Sequence, residues 1–184
     1  MRLLPPAAAL LLFLGLTACA AIDAITGNTP PPPPCPEVSV LPEAATVTRF
    51  REGPGRDIID EIFSGAIADV QMGCEHDIDE DTGEGTLSMA VAMMIHAERG
   101  AANRDRRALF RYFVSLTDPS RKIIAKETFD LPSVFPGNHN RMLVTDDPVE
   151  LTIPLKKGMT GVNFRVVVGF QLSREDMKIN RLRR

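Results

Sequence analysis

The chain of 184 residues contains no tryptophan and one tyrosine, and its formal net charge is −3. Proteins that bind nucleic acid need a surplus of positive charge to pair with phosphates, and those that bind single strands also stack the bases on aromatic side chains. Because this sequence is poor in both, it excludes nucleic acid as the main partner.

The sequence also lacks the short motifs of the common catalytic sites. It has no GxSxG, no HExxH and no phosphate-binding loop, and its three histidines, His76, His96 and His139, stand far apart in the chain. Nucleophilic catalysis needs a nucleophile beside a base, and no such pair is indicated. We therefore predict that the protein is not an enzyme and has no cofactor.

Long hydrophobic runs are rare as well, and the most apolar one, residues 7–16, is too short for a transmembrane helix of about 20 residues. It follows Arg2 and precedes several small residues, which is the pattern of a secretory signal peptide. We assign residues 1–18 to this signal. The whole chain is 44% hydrophobic, and the part after the signal is long enough for one ordinary domain.

The last three residues of the signal and the cysteine after them read Leu-Thr-Ala-Cys at residues 16–19, which resembles the lipobox of bacterial lipoproteins. The resemblance implies cleavage before Cys19 and attachment of several acyl chains, palmitate included, to that residue. Since Ala20 and not aspartate follows the cysteine, it also implies the outer membrane, with the domain facing the periplasm. The alternative is cleavage after Ala20, which also fits a signal-peptidase site and would release a soluble protein.

Residues 19–36 read as a spacer, since they contain six prolines between Pro30 and Pro36 and little charge. Proline runs favour the extended polyproline II conformation, so the spacer is expected to be semi-rigid; a merely disordered linker is the alternative. We place the folded domain at residues 37–184.

Seven segments of this domain show the alternation or composition of β-strands, and turn residues separate them. They predict an all-β fold, an antiparallel β-sandwich of the immunoglobulin or fibronectin type III shape, with a short C-terminal helix that begins near Ser173. Residues 87–100 also suit a helix that ends at Gly100, although we favour a strand. The seven segments are residues 45–50, 61–72, 86–97, 108–116, 122–129, 149–155 and 164–172.

The stretch CEHDIDEDTGEG, residues 74–85, concentrates a thiol, an imidazole and carboxylates. Asp77, Asp79 and Asp81 alternate as in calcium loops, but Thr82 and Ser88 occupy the positions at which an EF-hand has glycine and glutamate. We interpret the stretch as the polar tip of a β-hairpin without a metal. A calcium site of another geometry, formed by the three aspartates, is the alternative; a zinc site at this stretch is less favoured.

The two remaining cysteines, Cys35 and Cys74, form an even pair in an exported protein. We predict a disulfide between them, which would also remove the Cys74 thiol as a ligand or nucleophile.

The stretch from Cys35 to Arg181 is similar to small proteobacterial lipoproteins to which no activity is assigned. The similar pieces are CPEVSVLPEA, the cysteine at Cys74, AERGAA, YFVSLTD, the strand with Ile153-Pro154-Leu155, and VGFQLSREDMKINR. The resemblance implies the same fold and location. The sequence as a whole thus predicts a lipid-anchored envelope protein that acts as a structural or protein-interaction module. The alternative is a domain that binds calcium or an envelope ligand through the acidic loop at residues 77–84, from Asp77 to Glu84.

Overall fold

The computed structural model describes residues 31–53 and 55–182. The predicted signal peptide and Cys19 lie outside these residues. The compact unit begins at Pro33, close to the predicted domain start. Within the described residues, no helix has both the length and the apolar character needed to cross a membrane.

Nine strands and one α-helix form the described part of the domain. The strands are β1 (Glu37–Val40), β2 (Thr46–Phe50), β3 (Glu61–Ile78), β4 (Gly85–Arg99), β5 (Arg107–Thr117), β6 (Ile123–Val134), β7 (Arg141–Thr145), β8 (Val149–Leu155) and β9 (Arg165–Phe170), and the helix is α1 (Arg174–Leu182). The predicted all-β sandwich with a short C-terminal helix is confirmed.

The strands form two sheets. The first has the order β1-β9-β5-β6, and the second has the order β2-β3-β4-β7, with β8 also paired to β4. The β1–β9 pair is parallel, and the other pairs are antiparallel. Strands β3 and β4 form a long hairpin in which Phe63 lies opposite Arg99 and Ile78 lies opposite Gly85.

The core lies between the sheets and is built by alternation. In β4 every second side chain is buried, namely Leu87, Met89, Val91, Met93, Ile95 and Ala97. In β5 the same alternation runs through Ala108, Phe110, Tyr112, Val114 and Leu116, and Phe113, Ser115 and Thr117 are buried as well. The rings of Phe63 and Phe110 meet edge to face with centroids 5.1 Å apart. A Cβ at Gly65 would lie 2.6 Å from the Phe110 ring, so a glycine is required for this close packing.

All seven predicted segments contain a strand, and two further short strands, β1 and β7, were not predicted. Residues 87–99 belong to β4 and not to a helix, because their period of two places one face on the core of the sandwich. Pro154, which has no backbone N–H to donate, is in β8, which pairs with β4 alone.

The prediction that the polar hairpin tip occupies all of residues 74–85, after a strand at residues 61–72, is wrong in its bounds. Residues 74–78 continue β3, and only residues 79–84 form the turn of the β3–β4 hairpin. The strand continues because half-buried and exposed residues still alternate there. Cys74, His76 and Ile78 are half-buried, and Glu75 and Asp77 are exposed.

Helix α1 is capped at its start and is held on the domain by contacts near its end. The Asp176 amide donates to the Ser173 hydroxyl (3.1 Å), which confirms Ser173 as the predicted cap. The side-chain amide of Asn180 donates to the carbonyls of Glu43 (3.1 Å) and Thr46 (2.9 Å). The helix therefore packs beside the start of β2.

Candidate functional site

The structure places Cys35 and Cys74 at disulfide distance, with Cα atoms 5.7 Å apart, in agreement with the predicted bridge. Cys35 precedes β1 of the first sheet and Cys74 lies in β3 of the second. The bridge therefore ties the two sheets together where the chain enters the domain.

His76 has a structural contact beside this bridge. Its Nε2 accepts a hydrogen bond from the Gly161 amide (3.2 Å), which belongs to the short 3-10 turn before β9. Its Nδ1 lies 4.0 Å from the Cys74 sulfur. Because that sulfur is in the disulfide, the pair has no thiol nucleophile. His96 and His139 are exposed, on β4 and in the β6–β7 loop, and the structure does not bring the three histidines together.

The three aspartates of the calcium alternative have different roles. Asp79 Oδ1 accepts hydrogen bonds from the Thr82 amide (2.8 Å), the Thr82 hydroxyl (2.8 Å) and the Asp81 amide (3.1 Å). The bond from the Thr82 amide, followed by that from its hydroxyl, lowers the pKa of the Asp79 carboxyl. Asp77 and Asp81 are exposed, and the described residues contain no cluster of three or more potential metal ligands. Asp79 is thus the residue that shapes the hairpin turn.

A feature that the sequence reading missed lies at the opposite end of the β3–β4 hairpin. Ile58 and Ile59 are adjacent in the β2–β3 loop, and they are 75% and 64% exposed. They belong to a 3-10 turn that Asp57 caps through the amide of Ile58 (2.8 Å). The turn therefore presents two large apolar side chains to solvent.

Asp60 fixes the position of this loop. Its side chain is only 6% exposed and forms an ion pair with Arg51, whose amide also donates to the Asp60 carbonyl (2.9 Å). A Cβ at Gly55 would lie 2.2 Å from Asp60 Oδ2, so the loop can cross the carboxylate only with a glycine at this position. Both ends of the loop are therefore held by one buried carboxylate.

Asn103 organises the neighbouring β4–β5 loop in a similar way. It is 5% exposed; its Nδ2 donates to the Arg107 carbonyl (2.9 Å) and its Oδ1 accepts from the Arg106 amide (2.7 Å). Arg106 has a φ of 59°, an uncommon conformation for a residue other than glycine. The bonds of Asn103 hold the backbone in this conformation.

Hydrogen bonds join this loop to its neighbours. The Gly100 amide donates to the Ile62 carbonyl (2.8 Å) where β3 begins. The Arg106 guanidinium donates to the Gly137 carbonyl (2.7 Å), and the Arg99 amide donates to Asn140 (2.7 Å), both in the β6–β7 loop. We call residues 51–53, 55–60, 100–106 and 135–140 the loop-end surface.

The loop-end surface carries charges of both signs next to its apolar turn. Arg104 and the adjoining Arg107 are exposed, and their side chains form no ion pair with any described residue. Glu52 and Asp105 are exposed at the same end. The surface therefore offers a partner an apolar pair, guanidinium donors and carboxylate acceptors.

The sequence signal for this surface is the segment REGPGRDIID, in which two isoleucines interrupt a turn-like run of charged residues and glycines. Sequence alone does not tell a buried apolar pair from an exposed one. Comparison of the chain with protein-family models, with curated proteins and with solved structures found no match.

Proposed function

We propose that the protein is a lipid-anchored envelope protein that binds another envelope protein through the loop-end surface. The anchor is Cys19, as the resemblance of residues 16–19 to a lipobox implies. The observation that carries the binding role is the exposure of the adjacent Ile58 and Ile59 on a turn fixed by a buried carboxylate.

Two large apolar side chains side by side in solvent favour association, because covering each contributes about 1.5 to 3 kcal/mol. The surrounding charges favour a protein as the partner. A phosphate-rich surface would be repelled by Glu52 and Asp105, whereas a protein with both carboxylates and basic groups can pair with both signs.

The position of the surface suits a tethered protein. The chain enters the domain at Cys35, which is bonded to Cys74 near the far end of β3. The loop-end surface lies at the start of β3, at Glu61, and the strand between these points extends about 40 Å. An anchor at Cys19 would therefore hold the opposite end of the domain and leave the loop-end surface accessible.

The proposal is tested by co-purification from intact envelopes after light cross-linking. The variant Ile58→Ser/Ile59→Ser removes the apolar pair, so recovery of the partner protein should fall at least about tenfold. Val162→Ser is the matched control, because Val162 is 65% exposed but lies in the turn before β9, outside the loop-end surface. Equal recovery with the parent, the double variant and the control would contradict the proposal.

A further inference from the structure

Strand β6 has a free edge. Within the described residues it pairs with β5 alone, along the full length from Arg107 opposite Val134 to Thr117 opposite Ile123. It is also the longest strand of its sheet. A long unpaired edge is a template for another strand, because its outward N–H and C=O groups have no partners.

The hydrogen-bond pattern between β5 and β6 determines which residues of β6 direct their backbone groups toward the free edge. The Phe135 amide donates to the Arg106 carbonyl (2.8 Å), and antiparallel pairing alternates between bonded and non-bonded residues. The odd-numbered residues from 125 to 135 therefore bond to β5. Outward-facing backbone groups belong to Lys126, Thr128, Asp130 and Pro132, and proline removes only one donor from this edge.

We propose that two copies of the protein associate by antiparallel pairing of their β6 edges, with the two-fold axis at Thr128. In this register Lys126 lies opposite the partner's Asp130, and Asp130 lies opposite the partner's Lys126. Opposite charges that face each other across an antiparallel pair are stabilising, and like charges are destabilising. The two sheets join into one continuous sheet with an isologous interface.

The charges select this register among its neighbours. An axis at Lys126 would place the two copies of Lys126 opposite each other, and an axis at Asp130 would do the same with Asp130. An axis at Glu127 would place the two Glu127 carboxylates opposite each other. An axis at Phe129 would place Lys126 opposite Pro132 and leave its charge unpaired. Thr128 is thus the one centre between 126 and 130 that pairs both charges.

The side chains that would pair are held on the outer face of the sheet. Lys126 Nζ lies 4.2 Å from the centroid of the Phe113 ring, and Asp130 Oδ1 accepts from Arg111 Nε (2.9 Å). Both Lys126 and Asp130 remain exposed, so a second copy could reach them.

Exposed apolar residues at the two ends of β6 support the same pairing. Ile123 and Ile124 at the start are 57% and 47% exposed, and Val134 at the end is 62% exposed. Antiparallel pairing brings the start of one β6 beside the end of the other, so each copy's Val134 lies diagonally across from the partner's Ile124. Covering these side chains adds a hydrophobic contribution at both ends.

The test is charge exchange in the full mature chain, measured by sedimentation in detergent. Lys126→Asp should weaken self-association at least about tenfold, because two cross-strand pairs become repulsive, and Asp130→Lys should do the same. An equimolar mixture of the two variants should restore it, since the mixed pair again has opposite charges at both places. Glu37→Lys on β1, the other edge of the sheet, is the matched control and should leave association unchanged.

If self-association is restored in the mixture, the cause is not a change in folding, because mixing leaves the internal contacts of each variant as they were. A second variant covers the case in which Asp130→Lys does not fold: Thr128→Cys should form a covalent dimer on oxidation, whereas Thr152→Cys, exposed on β8, should not. The proposal is overturned if Thr128→Cys stays monomeric, or if folded variants fail to restore association when mixed. If the substitutions instead abolish the co-sedimentation of a different protein, and mixing the variants does not restore self-association, the β6 edge binds that other protein and the proposal is overturned.

Discussion

The hydroxyl of Tyr112 donates a hydrogen bond of 2.5 Å to Asp146 Oδ2, and this contact joins the two sheets of the sandwich. Tyr112 lies in β5 and is 1% exposed, whereas Asp146 directly follows β7. The other oxygen of Asp146 accepts from the Asp147 amide (2.9 Å), so both carboxylate oxygens have a donor. Burial of the phenol, followed by the hydrogen bond that it donates to Asp146, raises the pKa of Tyr112 far above its ordinary value of 10.0.

The raised pKa of Tyr112 predicts a loss of stability in alkali. The neutral phenol is favoured in the folded state, so its contribution is complete below a pH of about 10, where the unfolded phenol ionises, and declines as the pH rises above that value. Urea unfolding at increasing pH should therefore show a falling free energy of unfolding, and Tyr112→Phe should remove this component of the slope.

Tyrosinate absorbance gives a direct control, because Tyr112 is the only tyrosine and the chain has no tryptophan. The folded protein should show no ionisation near pH 10, and the urea-unfolded protein should ionise there. Ionisation of the folded protein at that pH would contradict the buried Tyr112–Asp146 contact.

Alternation made most of the fold predictable from the sequence. Phe110, Tyr112 and Val114 in β5, like Val166 and Val168 in β9, repeat every second residue because the face of each strand that carries them lies on the core. The same period identified residues 87–97 despite their helix-favouring composition. Local pattern suffices where a strand is long and one of its faces lies on the core.

The missed features depend on long-range contacts. Strand β1 has four residues and forms only by parallel pairing with β9, in which Glu37 lies opposite Arg165. Strand β7 has five residues, and its exposed Leu143 lies opposite His96 of β4. The exposure of Ile58 and Ile59 depends on the loop conformation that the ion pair between Asp60 and Arg51 stabilises. Local sequence does not determine any of these arrangements.

The Cys35–Cys74 bridge spans 39 residues, so its loss should lower the free energy of unfolding by about 4 kcal/mol in the chain-entropy model. The double variant Cys35→Ser/Cys74→Ser should show this loss in urea, and the parent with reductant should show the same. An unchanged midpoint with reductant, together with two alkylatable thiols at these positions without it, would contradict the bridge.

The acidic turn should depend on Asp79 and not on its neighbours. Asp79→Ala should lower the melting temperature, because the Thr82 and Asp81 donors lose their acceptor. Asp79→Asn keeps an acceptor oxygen and should have a smaller effect, and Asp77→Asn and Asp81→Asn should have almost none. Calcium should not change the melting temperature of the parent. A calcium-dependent rise that these substitutions abolish would support the calcium-binding alternative.

Attachment to the membrane should require Cys19. Cys19→Ala should abolish labelling with a palmitate analogue and move the protein from the detergent phase to the aqueous phase, because the acyl chains supply the membrane affinity. Cleavage after Ala20 would instead leave the partitioning of the variant and the parent equal. Cys35→Ser is the control that should leave lipid labelling unchanged.

The most direct measurement of the proposed function is site-specific photo-cross-linking in intact cells. A photoreactive residue at position 59 should capture one defined envelope protein, because Ile59 is 64% exposed on the loop-end surface. The same residue at position 162 should not capture it, since Val162 is equally accessible (65% exposed) but lies in the turn before β9, outside that surface. Capture of the same protein from position 162 but not from position 59, or capture from neither, would contradict the proposal that the loop-end surface binds an envelope partner.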